Sequence, residues 1–353
     1  MSLTLLEYDN EKRNGTADLL KGLAVIFMVQ VHITELFATQ EIFDSFIGSI
    51  SLFLGGPPAA PIFMAVMGYF LAGSKKDFET SLLRGIYLFL GGILLNIGLN
   101  FNLLLRIYKG EFFLDPMQYV FGVDIFLLAG LSIILLTLLK KLINIHFVIP
   151  LLLSFLIAYL TEYTLSFPDF ESPLLTYSVP MLGGQYSWSY FPLFPWFSYP
   201  LIGWSFWMMQ KKLSGTFIAD KQISVLSLLA WGLYIYLTIQ FGILVSANLP
   251  VYYHHGIEFF IWVVFFLAGY LFLTAKINSL LPKSVILLYI KWLGKNVTLV
   301  YVFQWLIIGN ISTEIYKTQN LTSSVLWFFA IMLVVSFLII AWSKTSPKFL
   351  VNK

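Results

Sequence analysis

Apolar runs of bilayer-spanning length recur along this chain, and cations gather in alternate gaps between them. A stretch of about 20 apolar residues can cross a bilayer as a helix. Spans are predicted at 17–38, 54–73, 82–104, 118–139, 145–166, 191–209, 221–245, 257–275, 296–311 and 323–342. The runs at 54–73, 191–209 and 296–311 are short or interrupted by Gly and Pro. Such breaks are tolerated at membrane depth only where neighbouring protein satisfies the backbone. With the N-terminus placed in the cytoplasm, only Arg106, Lys109 and Lys317 of the 21 basic residues fall in outer segments. Cytoplasmic loops are enriched in Lys and Arg, and one helix more or fewer would scramble the alternation. The expected fold class is all-α: a polytopic integral membrane helix bundle of about ten transmembrane helices, both termini cytoplasmic. The whole of 1–353 is expected to act as one unit in the cell (plasma or inner) membrane.

Composition narrows the function. Hydrophobic residues make up 59% of the chain and charged residues 11%, against about 25% charged in a typical soluble domain. A formal net charge of +3 is too small to argue for nucleic acid. The chain has no cysteine, which excludes disulfides, thiolate nucleophiles and cysteine-ligated metal. Glu7, Asp9 and Glu11 precede the first apolar run, so a cleavable signal pattern is not expected.

Within so apolar a chain, polar residues inside the runs ask for a function. Lys21 and His32 stand 11 residues apart in the first run. That is about three helical turns, so both lie along nearly one stripe, roughly 16 Å apart. Imidazole titrates near neutrality, so His32 is either a histidine bonded to a neighbouring helix or a general base. Glu35, three residues on, is placed to share its face and orient the ring. Asp124, read as two turns into the run at 118–139, is a second carboxylate that could meet His32. Asn96 and Asn100, spaced i, i+4, are candidate hydrogen-bond donors to a developing oxyanion. Lys21, Arg84 and Arg13 are candidate phosphate ligands, although cations at a cytoplasmic boundary also serve topology alone. His254, His255 and Glu258 have poor spacing for zinc and read as a polar outer rim, so no metal is expected. The run Tyr186–Tyr199 (YSWSYFPLFPWFSY) suits either a membrane interface or a sugar-binding surface.

These residues resemble a known group. Arg13, Asp18, Lys21 and Gly22, followed by an apolar helix reaching His32, are similar to the first helix of transmembrane acyltransferases. The Lys21-x10-His32 spacing resembles the basic-x10-His signature of the acyltransferase type 3 family. The stretches Ala60–Ser74, Leu82–Asn96 and Phe191–Gly203 look like heparan-α-glucosaminide N-acetyltransferase-like catalytic domains, as does the late helix Leu293–Ile307. That late motif often has histidine where this chain has Gln304. The resemblance implies acetyl-CoA as donor substrate and a glycan or sugar hydroxyl or amine as acceptor, with His32 as base or transient acyl carrier. The partners expected are acetyl-CoA, the sugar acceptor and the lipid bilayer, with room for a homodimer. The competing reading is a proton-coupled transporter or flippase for a small anion or lipid-linked sugar, although the chain has no matching halves.

Overall fold

A backbone removed from water must satisfy its own N–H and C=O groups, so apolar runs of this length become helices. The computed structural model describes residues 15–213 and 221–345, and among them it contains helices, turns and no strand. The principal helices are α1 (Gly15–Leu36), α2 (Phe46–Gly55), α3 (Ala60–Ala72), α4 (Phe78–Leu99), α5 (Ile125–Ile143) and α6 (Val148–Thr164). They continue with α7 (Ser198–Leu213), α8 (Lys221–Ala247), α9 (Ile257–Leu280), α10 (Val285–Lys295), α11 (Val297–Ile315) and α12 (Leu321–Thr345). The protein is an all-α polytopic helical protein.

Among the described residues, 7 helical segments are long and apolar enough to cross a membrane, or 8 when α10 and α11 count as one bent span. Two further predicted runs, 145–166 and 191–209, are helices of 17 and 16 residues, α6 and α7. The segment predicted at 54–73 begins earlier, as α2, and breaks at Gly56–Pro57–Pro58 before α3. Proline lacks an N–H and cannot sustain a helix interior, so the chain turns there. The run at 82–104 ends at Asn100, and a separate short helix, Phe101–Tyr108, follows.

Two boundaries change the reading of the chain. Residues 276–295 look like a basic loop in the sequence, yet α10 occupies 285–295 and meets α11 at 81°. The run at 118–139 does not begin as one helix. A short helix, Pro116–Val120, gives way to irregular chain, and α5 starts only at Ile125. The Val123 carbonyl accepts from the N–H groups of Tyr190 and Phe191, and the Val123 N–H donates to Trp188. The long loop is thus tied to the entrance of α5.

Helix α1 runs through the middle of the bundle, packed against α2, α3, α9, α10, α11 and α12. Its contact with α10 is backbone to backbone. A Cβ at Gly22 would stand 1.9 Å from the Ile290 carbonyl oxygen, and one at Gly294 1.8 Å from that of Asp18. Small residues permit such approach where helix pairing depends on close packing. The contact fixes the Lys21 end of α1.

Candidate functional site

Two cavities flank this central helix. One, of about 710 Å³, is lined by His32, Glu35, Asn96, Asn100 and Asp124. The other, of about 790 Å³, is lined by Lys21 and Arg84 among apolar side chains. Phe63, Ile125 and Tyr301 line both and form the wall between them. The residues predicted as catalytic therefore gather around one space and the predicted cations Lys21 and Arg84 around a second. Arg13 lies outside the described residues.

The partner of His32 differs from the one expected. Its Nδ1 lies 3.1 Å from the Gln304 side-chain oxygen, and its ring stacks on Trp305 with centroids 3.9 Å apart. Neither Glu35 nor Asp124 bonds to it. An amide oxygen only accepts, so Nδ1 carries the hydrogen and Nε2 presents its lone pair. Helix α11 supplies both groups, because Tyr301, Gln304 and Trp305 follow the i, i+3, i+4 spacing of one helical face.

Asp124 is not inside a helix but caps α5, accepting from the Ile125 N–H at 2.6 Å. Its other oxygen accepts from the Tyr301 hydroxyl. Both oxygens thus have a partner in the wall between the cavities. Asn96 and Asn100 do face the His32 cavity, but their NH₂ groups are engaged by backbone. Asn96 donates to Val120 at 3.1 Å and to Gly122 at 2.7 Å. Asn100, at the end of α4, donates to Asn96 at 3.0 Å and Tyr119 at 3.3 Å. The two amides thus tie the last turn of α4 to the chain at 119–122, engaged by backbone rather than open to an oxyanion.

Lys21 pairs with Asp18 at 2.9 Å, its side chain 17% exposed and that of Asp18 3%. Part of its charge is spent on that buried carboxylate. Arg84 is exposed on α4.

Titratable groups beside the His32 cavity respond to burial first and to Glu35 second. Burial pushes the Tyr190 phenol up to about 12, with Glu35 adding to the shift. Burial lowers the Lys317 ammonium, and Glu35 and Asp44 oppose that shift. The histidine pair is not a rim: both His254 and His255 are buried. His255 Nδ1 donates to the Tyr252 carbonyl at 2.7 Å, and Nε2 accepts from the Tyr199 hydroxyl at 2.7 Å. Among the described residues no group of three or more His, Asp or Glu could hold a metal ion. Trp196 and Tyr199 of the aromatic run are fully buried, and the Trp196 N–H donates to the Tyr253 carbonyl. This part of the run is core rather than interface.

Gln304 and Trp305 beside His32, and Tyr301 beside Asp124, are contacts to which residue-by-residue reading gave no part, although Gln304 was noted where the late motif often has histidine. The signal was available: a glutamine within an apolar run needs a partner as surely as a histidine does.

No curated protein and no solved structure matches this chain. The sequence model of the acyltransferase domain, type 3, matches residues 14–343, a range that includes every residue lining the two cavities. The chain belongs to the acyltransferase type 3 family and is a membrane acyltransferase.

Proposed function

We propose that the protein moves an acetyl group from cytoplasmic acetyl-CoA to a hydroxyl or amine of a sugar or glycan on the opposite side of the plasma membrane. The observation that carries this reading is the course of α1. One helix lines the cationic cavity with Lys21 and the histidine cavity with His32, and a single wall separates the two. A cationic mouth suits the phosphates of a nucleotide. Arg84 carries the larger share of that work, because Asp18 already draws on Lys21. The pantetheine arm would run beside α1 over the roughly 16 Å from Lys21 to His32. Its passage requires the wall of Phe63, Ile125 and Tyr301 to part.

At the far end, His32 acts as general base. Gln304 holds the hydrogen on Nδ1, leaving Nε2 to take the proton of the acceptor hydroxyl as its oxygen attacks the thioester carbonyl. The thiolate of CoA leaves and is protonated as the ester forms. A route through an acetylated imidazole would use the same Nε2.

The test uses the full chain in proteoliposomes, with labelled acetyl-CoA on one side and an acceptor panel on the other. Acetyl transfer by the wild type and its loss in His32→Ala support the reading. Equal transfer by both removes His32 as base. An absence of acetyl-CoA turnover accompanied by solute uptake hands the reading to a proton-coupled transporter or flippase.

A further inference from the structure

Three features of the His32 cavity are left over once the base has its partner. Glu35 lines the cavity near one turn beyond His32, yet no hydrogen bond from a described residue reaches its carboxylate. Tyr119, Trp188, Tyr190, Phe191 and Tyr253 present aromatic surface to the same space. Among the described residues that line it there is no Lys or Arg, whereas Glu35 and Asp124 are both carboxylates. The field of Lys317 reaches Glu35, but its ammonium lies 3.8 Å over the Phe43 ring and outside the lining. Arg106 is engaged by Glu314 and stands 3.8 Å from Glu111.

We propose that Glu35 recognises the acceptor, taking a hydrogen bond from a hydroxyl neighbouring the one that reacts, and that the cavity admits a neutral sugar ring and excludes an anionic one. This deepens the acyltransferase reading and rests on it for what becomes of the sugar. Glu35 is half-buried; a carboxylate that lines a cavity and takes no hydrogen bond from the described residues is left to water, and a polyhydroxylated ring brings donors in its place. The C–H faces of such a ring suit the flat aromatic walls. A uronic acid would bring a third carboxylate into a space whose lining holds no Lys or Arg, with the nearby Lys317 ammonium already drawn on by Glu35 and Asp44.

The experiment measures equilibrium binding of matched glycosides to the full chain in detergent, without donor. The probes are methyl glycosides and the corresponding methyl uronides of the gluco, galacto and manno series. In at least one series the wild type should bind the neutral glycoside about tenfold or more tighter than its uronide. Glu35→Gln should weaken the neutral glycoside and narrow that ratio to within about threefold, while Glu35→Lys should reverse it. CoA binding reports whether each variant is folded; a merely structural role for Glu35 would not move the neutral-to-anionic ratio. Equal binding of both members in every series overturns the proposal, as does binding of neither in all three, or a ratio unchanged in a folded Glu35→Gln. A separate transfer assay keeps the two readings apart. Acetyl transfer with a flat ratio removes the role of Glu35 alone, whereas the expected ratio without transfer removes the acyltransferase mechanism alone.

Discussion

The two cavities have nearly the same volume, about 710 and 790 Å³, but different walls. The Lys21 cavity is bounded largely by helix faces: Met67 and Phe70 of α3, Leu83 and Tyr87 of α4, Ala129 and Ile133 of α5. The His32 cavity draws on helix ends and irregular chain as well, including Asn100, Asp124, Trp188 and Tyr190. A regular helix has no spare backbone hydrogen-bonding groups except at its ends. Polar side chains that must be held in place therefore collect where helices stop. Asp124 capping α5 and Asn96 bonding Val120 and Gly122 are both instances. The smooth-walled cavity suits a flexible chain in transit, and the one built from helix ends suits a reaction that needs fixed geometry.

If the cavities divide labour in this way, variants at the His32 end should affect turnover and variants at the Lys21 end affinity. The largest effect is expected at His32. His32→Ala should lower acetyl transfer by about 10²- to 10⁴-fold with CoA affinity preserved, as measured by transfer rates at saturating donor. Loss of CoA affinity there would break the division. A smaller effect is expected at Gln304, whose side-chain oxygen fixes the tautomer of the ring. Gln304→Met should lower kcat by roughly tenfold, and Gln304→Glu, which still accepts from Nδ1, should recover much of it. At the other cavity, Arg84→Ala should weaken CoA binding by about three- to tenfold, and Lys21→Ala by less because of Asp18. Both losses should shrink as salt rises, which titration of CoA at two ionic strengths measures. An effect on kcat alone would erase the contrast.

The smallest effect concerns stability rather than chemistry. Burial pushes the His255 imidazole down to about 4, from an ordinary value near 6.5. The folded protein thus holds this ring neutral, while the unfolded chain takes up a proton more readily. The stability it contributes is complete above about pH 6.5 and is lost as pH falls toward 4. In detergent, the thermal midpoint of the wild type should fall by a few degrees more across that window than that of His255→Gln.

Much of the helical pattern was legible in the sequence, because an apolar run at membrane depth has few alternatives to a helix. The runs holding α1, α4, α9 and α12 lie within a few residues of their places in the structure. The grouping of His32, Glu35, Asn96, Asn100 and Asp124 around one space was also foreseeable from depth along each run. What escaped were the exceptions to regularity. Helix α10 hid because Lys283, Lys291 and Lys295 read as loop, although the helix keeps Ile290 and Leu293 buried. The start of α5 at Ile125 was hidden because the loop contact that stops the chain at Val123 comes from residues 188–191, far along the sequence.

By itself, the sequence determined that this chain must span a membrane as helices, and which rare polar residues lie at similar depth within them. Both follow from local rules: the length of apolar runs and the cost of burying charge in hydrocarbon. Only the tertiary structure decided which of those residues touch. It gave His32 a glutamine rather than a carboxylate, engaged the Asn96 and Asn100 amides with backbone, and left the Glu35 carboxylate facing open space. The reason is rotational. Depth is set by position along one helix, whereas contact depends on how α1, α4, α5 and α11 are turned about their axes, and close packing of their side chains against one another fixes that turn.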